Sequence, residues 1–147
     1  MRKIERIFVH CTASPQTWGE EELKREFKNK GWKSPGYHIA IGANGELHRL
    51  ADDENVTNGV QGYNSTAINV AYIGGIDAKG KGIDNRTPEQ RKSLIYVLSE
   101  LKEKYPDAVI LGHRDISPDT NKNRIVDPWE RIKECPCFDA KDEYKDL

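Results

Sequence analysis

Three residues of this 147-residue chain are of types that hold a metal and sit where one could be held. His10 closes the apolar run Ile7-Phe8-Val9, His113 follows the run Val109-Ile110-Leu111, and Cys135 lies in the turn-like Glu134-Cys135-Pro136. A catalytic zinc takes three protein ligands from His, Cys, Asp and Glu and keeps its fourth position for water. Strand ends are stiff and open onto loops, so both histidines would be well positioned and accessible. No local spacing rule joins the three, and any one histidine alone is more often a hydrogen-bonded structural residue. The cysteine count is 3 (Cys11, Cys135 and Cys137), and an odd number argues against a complete disulfide framework. Cys135 and Cys137 stand too close for an easy mutual bridge. Cys11 follows His10 on a strand, so it is expected to face the other way and pack as a small hydrophobe.

The elements that must position these residues read as a mixture of strands and helices. Glu5–Thr12 reads as a buried first strand ending at His10. Gly19–Lys30 reads as a helix with three glutamates in its first turn, where the helix dipole favours acids, and with Leu23 and Phe27 on one face. A hairpin follows: Tyr37–Ile41, a turn at Ala43-Asn44-Gly45, and a return over Glu46–Leu50. On such a strand His38 faces opposite Tyr37 and takes a structural role. The Asn- and Gly-rich stretch 52–65 reads as a loop that could wall a groove. Ile68–Ile73 is another strand. Thr87-Pro88-Glu89-Gln90 is a capping box with Pro at the first helical position, leading into Leu94, Val97, Leu98, Leu101 and Tyr105 at helical spacing. Val109–Leu111 is a short strand that delivers His113. The pattern predicts an α/β fold, a single domain over 1–147 with a mixed central β-sheet flanked by helices. Its core is expected over about 4–138, with the polar tail 139–147 forming a short helix or fraying.

Composition narrows the function classes. Lys and Arg number 23 against 24 Asp and Glu, so the basic excess of a phosphate-tracking protein is missing and nucleic acid is not the expected partner. The N-terminal run is too short for a signal-peptide core, and no stretch approaches a transmembrane span. The chain is therefore expected to be made in the cytoplasm, without a signal peptide.

Several pieces occur in a telling order: Ile7-Phe8-Val9-His10-Cys11-Thr12-Ala13, Gly31-Trp32, Gly36-Tyr37-His38, Gly62-Tyr63-Asn64, Val70-Ala71-Tyr72-Ile73-Gly74-Gly75, Gly112-His113-Arg114-Asp115 and Lys133-Glu134-Cys135-Pro136-Cys137-Phe138-Asp139. Together they resemble the type-2 N-acetylmuramoyl-L-alanine amidases, which include the amidase-type phage lysozymes and the peptidoglycan recognition proteins. The resemblance runs from about Ile4 to Phe138. It implies a groove floored by one Zn2+ ion on His10, His113 and Cys135, with peptidoglycan or muramyl peptides as the partner. It implies hydrolysis of the amide between N-acetylmuramic acid and L-alanine, as in an endolysin that reaches the cell wall by release or export. Tyr37 is then expected to orient or deprotonate the water, and Lys133 to face the developing oxyanion. Thr12, Ser14, Tyr63 and Asn64 are candidates for lining the groove, and a monomer is expected.

Two other roles stay open within that resemblance. One is a recognition module without catalysis, although such members typically lack the zinc cysteine and Cys135 is present. The other is an amidase with a second, regulatory role in polymerase inhibition. The segment before Cys135 also departs from the shortest phage members. Asp119, Asn121, Asn123, Ile125, Asp127 and Glu130 fall on the ligand positions of a twelve-residue calcium loop, with Arg124 where that pattern wants Gly. A Ca2+ site is the expectation there, set against an Asx-rich turn held by its own side chains.

Overall fold

The computed structural model describes residues 3–60, 62–116 and 135–147. Lys133 and all six residues of the calcium-like loop lie outside the described residues. The elements run β1 (Arg6–Cys11), α1 (Glu20–Asn29), β2 (Ile39–Ile41), β3 (Leu47–Arg49), β4 (Ala67–Tyr72), α2 (Pro88–Lys104), β5 (Val109–Gly112) and α3 (Ala140–Glu143), with short 3-10 turns at Asn64–Thr66 and His113–Ile116. They form one five-stranded sheet in the order β3-β2-β4-β1-β5. β1 runs parallel to both β4 and β5, β2 is parallel to β4, and only the β2–β3 hairpin is antiparallel. The expected mixed sheet is the one observed.

Parallel strands covered on both faces need apolar side chains on both, and β1 and β4 are buried along almost their whole length. The period-2 alternation divides them. Ile7, Val9, Cys11, Ile68, Val70 and Tyr72 join Leu94, Val97, Leu98 and Leu101 of α2 in the main core. The other face packs α1 through Leu23 and Phe27 against Ala40 and Ile73. Helix α2 starts as its capping box requires: Thr87 Oγ1 accepts from the Gln90 N–H at 3.1 Å and Gln90 Oε1 accepts from the Thr87 N–H at 3.0 Å. The Gln90 amide then donates to the carbonyls of Ile41 and Ile73, sewing the helix start to the ends of two strands.

The C-terminal segment extends the core past the expected edge at 138. Ala140 and Tyr144 are buried in the main core beside Phe138. Arg86 explains the docking. Its side chain is 1% exposed, its guanidinium lies 3.4 Å over the Phe138 ring, and it bonds both Asp84 and Glu143 in two-pronged fashion. The tail's polar composition therefore conceals two core residues and the ion-pair partner of a buried arginine.

Candidate metal centre

Parallel pairing of β1 with β5 brings the two histidines together. Val9 pairs with Gly112, so His10 and His113 are the next residues at the C-terminal ends of adjacent strands. Their rings meet edge to face with centroids 5.1 Å apart. Cys135 arrives from the C-terminal segment. Its carbonyl accepts from the Arg114 N–H at 2.8 Å, and the next carbonyl, of Pro136, accepts from the Tyr72 hydroxyl at 2.6 Å. Gly112 leaves room for that approach, because a Cβ there would stand 2.8 Å from Pro136 Cδ.

The result is a cluster in which one ligand atom each from His10, His113 and Cys135 lies within 4.8 Å of the others. The Cys135 Sγ is 3.7 Å from His10 Nδ1 and accepts the Cys11 N–H at 3.1 Å. Two imidazoles and a thiolate are a borderline-soft donor set of the kind zinc prefers, and three donors leave a tetrahedral ion one further position. The residues fit the metal. His10 is nearly fully buried, and its Nε2 meets Asn69 Oδ1 at 2.8 Å.

The cluster lies in the lining of a cavity of about 230 Å³. Thr12, Tyr37, Trp32, Glu26, Lys30 and Asn58 are also on its walls. Tyr37 packs against His10 with centroids 5.2 Å apart and donates its hydroxyl to the Cys11 carbonyl at 3.5 Å. Burial, helped by the charges of Cys135 and Cys11, raises the Tyr37 phenol well above its usual range. The Cys11 thiol is pushed up to about 12, first by its hydrogen bond with Cys135 and then by burial against an opposing bond from Cys137. Cys11 is in the core as expected, but it also reaches the sulfur of Cys135.

Of the four groove candidates, Thr12 lines the cavity and Ser14, Tyr63 and Asn64 do not. The polar groups of Ser14 and Asn64 have local work instead. Ser14 Oγ donates to the Pro15 carbonyl and lies 2.6 Å from Thr12 Oγ1, and Asn64 Oδ1 accepts the Val60 N–H. Tyr63 packs edge-on against Phe8 with Arg6 over its ring. A further correction concerns His38. It precedes β2 rather than lying within it, so strand alternation does not govern it, and it bonds residues on the same face as His10. Sequence patterning does not mark Trp32, Glu26 and Lys30 as groove residues, although Glu26 and Lys30 are one helical turn apart and pair at 3.1 Å.

Known proteins give this arrangement a family. The profile described as N-acetylmuramoyl-L-alanine amidase matches residues 1–130. The chain is 38% identical over 142 residues to an endolysin of Klebsiella phage KP32, covering 95% of this chain and 85% of that one. The N-acetylmuramoyl-L-alanine amidase LysC from Clostridium intestinale superposes with a TM-score of 0.74 at 24% identity, over 97% of this chain and 82% of that one. A mutant of Drosophila PGRP-LB in complex with tracheal cytotoxin superposes with a TM-score of 0.71 at 14% identity, over 100% and 83%. With the family profile matched over most of its length, this chain belongs to the N-acetylmuramoyl-L-alanine amidases.

Proposed function

We propose that the chain is a zinc-dependent peptidoglycan hydrolase that cleaves the amide between N-acetylmuramic acid and the L-alanine of the stem peptide, acting on the cell wall as an endolysin. The observation that carries this reading is the convergence of His10, His113 and Cys135 within 4.8 Å on the wall of an open groove. When bound there, zinc supplies a water activated at neutral pH and a Lewis acid for the scissile carbonyl. The protein's own residues do the rest. Tyr37, packed against His10, is assigned to orienting or deprotonating the water. Lys133, two residues before Cys135 in the chain, is assigned to the developing oxyanion on the family resemblance. Trp32, 36% exposed with the Lys30 ammonium over its ring and Phe27 stacked on it, forms part of the groove wall and is assigned to contact the substrate. Among the described residues no helix is long and apolar enough to cross a membrane.

The deciding assay is amine release from purified peptidoglycan, with and without a zinc chelator, beside His113→Ala and Cys135→Ala. New L-alanine amino termini, identified by mass spectrometry and lost on chelation and in both variants, are the expected outcome. Intact sacculi in the presence of bound zinc would replace this reading with that of a recognition module.

A further inference from the structure

We infer that Asn69 is a positioning residue for this metal centre, holding His10 in the tautomer that turns Nδ1 toward the ion. The inference rests on the metal-site reading above. Two backbone groups in the chain of bonds have a polarity beyond choice, the Asn55 carbonyl and the Asn69 N–H. The Asn55 carbonyl only accepts, and His38 Nε2 lies 2.7 Å from it, so His38 carries its proton on Nε2. His38 Nδ1 is then an acceptor, as its 3.0 Å bond from the Asn69 backbone N–H independently requires. Thr57 Oγ1 lies 3.2 Å from the same nitrogen and donates to it. That hydroxyl in turn accepts from Asn69 Nδ2 at 2.8 Å, which fixes which end of the amide is which. Asn69 therefore presents Oδ1 to His10, and His10 Nε2 donates to it across 2.8 Å. A neutral imidazole protonated on Nε2 carries its lone pair on Nδ1, the nitrogen that faces Cys135 Sγ.

The chain is built to hold still. His38, Thr57 and Asn69 are all fully buried, where an unmatched polar group is costly. Gly59 packs against the amide so closely that a Cβ at that position would overlap the Asn69 side chain. A metal-ligating histidine is commonly held through its second nitrogen, and removing such a partner costs about 10–100-fold in metal affinity. Here the partner is an amide oriented from two residues away.

Two measurements test the inference. In the metal-free, 15N-labelled wild-type protein, long-range 1H–15N correlation of the His10 ring should show Nε2–H. A ring protonated on Nδ1, or one averaging both tautomers, would overturn the inference without any variant. Zinc affinity, measured by competition with a chromophoric chelator, should fall about 10–100-fold in Asn69→Leu. It should stay within about threefold of wild type in Asn69→Asp, which keeps the acceptor oxygen. Equal affinities for Asn69→Leu and wild type would also overturn it. Should Asn69→Leu fail to fold, Thr57→Val replaces it, with the His10 ring expected to populate both tautomers and a retained single Nε2–H form counting against the inference. Wild-type protein that takes up no zinc would instead refute the metal-site reading, while the tautomer spectrum still decides the role of Asn69.

Discussion

Replacing Arg86 by Met removes a guanidinium while keeping most of the stem's volume, and the structure sets the expected cost. The side chain is 1% exposed and makes five hydrogen bonds: two to Asp84, two to Glu143 and one to the Tyr144 hydroxyl. Breaking a buried ion pair from one side costs about 3–5 kcal/mol, chiefly because the partner's charge is left uncompensated. The partners here retain some water, with side-chain exposures of 24% for Asp84 and 39% for Glu143, and Arg91 still lies 3.5 Å from Asp84. The bottom of the range is therefore the estimate, about 3 kcal/mol, or roughly 6–12 °C in Tm for a domain of this size. Urea unfolding followed by circular dichroism measures the first figure and a thermal scan the second. Hydrogen exchange adds location: the amides of α3 and Tyr144 should lose protection first. If the cost is uncompensated charge, the double variant Arg86→Met/Glu143→Leu should recover part of the loss. An Arg86→Met protein within about 1 kcal/mol of wild type would refute the clamp. A double variant worse than the single one would refute the charge argument.

The same groups give the acid limb of stability. Arg86 holds Glu143 below its ordinary 4.5. Burial pushes Asp84 up, but Arg86 outweighs it and holds that group below 3.8. Depressed carboxylates contribute stability that is present above the ordinary value and lost as pH falls through the folded one. Urea midpoints should thus be flat above about pH 5 and fall below about pH 4, less steeply in Arg86→Met; a wild-type midpoint unchanged into that acid range would contradict the assignment. Trp32→Ala should raise KM about tenfold with kcat little changed, because it removes part of the groove wall and touches no ligand; a pure kcat loss would point elsewhere. Gly112→Ala should push Pro136 away from β5, destabilising the fold by about 1–3 kcal/mol and weakening zinc uptake, read by chelator competition; unchanged uptake would show that the turn tolerates the shift.

Periodicity was legible wherever one face of an element decides its burial. The first strand, the capping box of α2 and the delivery of His113 by β5 all follow from local patterns, and the structure differs only by a residue or two at their ends. His10 and His113 were visible as strand-end residues. What the pattern does not contain is that their strands are neighbours, since that depends on β4 lying on one side of β1 and β5 on the other. The tail forms the short helix that was one of its two expected states, but its docking was not legible, for a related reason. Glu143 is the buried arginine's partner, and a residue 57 positions away has no local signature.

Asn69 shows the limit most clearly. By composition it is a polar interruption in an otherwise apolar strand, Ala67–Tyr72, and a polar residue at the centre of a sheet is a local inconsistency. Such an inconsistency is tolerated when the surroundings satisfy the group. Here a loop (Thr57) and β1 (His10) satisfy the side chain and the residue before β2 (His38) accepts the backbone N–H, three segments with no common periodicity. The alternation does place Asn69 on the face shared by Phe8 and His10, because Phe8 pairs with Asn69 and His10 with Ala71 in register. A polar side chain that shares a face with a candidate ligand, one strand over, is thus a signal a sequence can carry once the strand order is known. The glycine at 59 is the complementary signal, for a turn residue with no Cβ is where an inward-facing amide finds room.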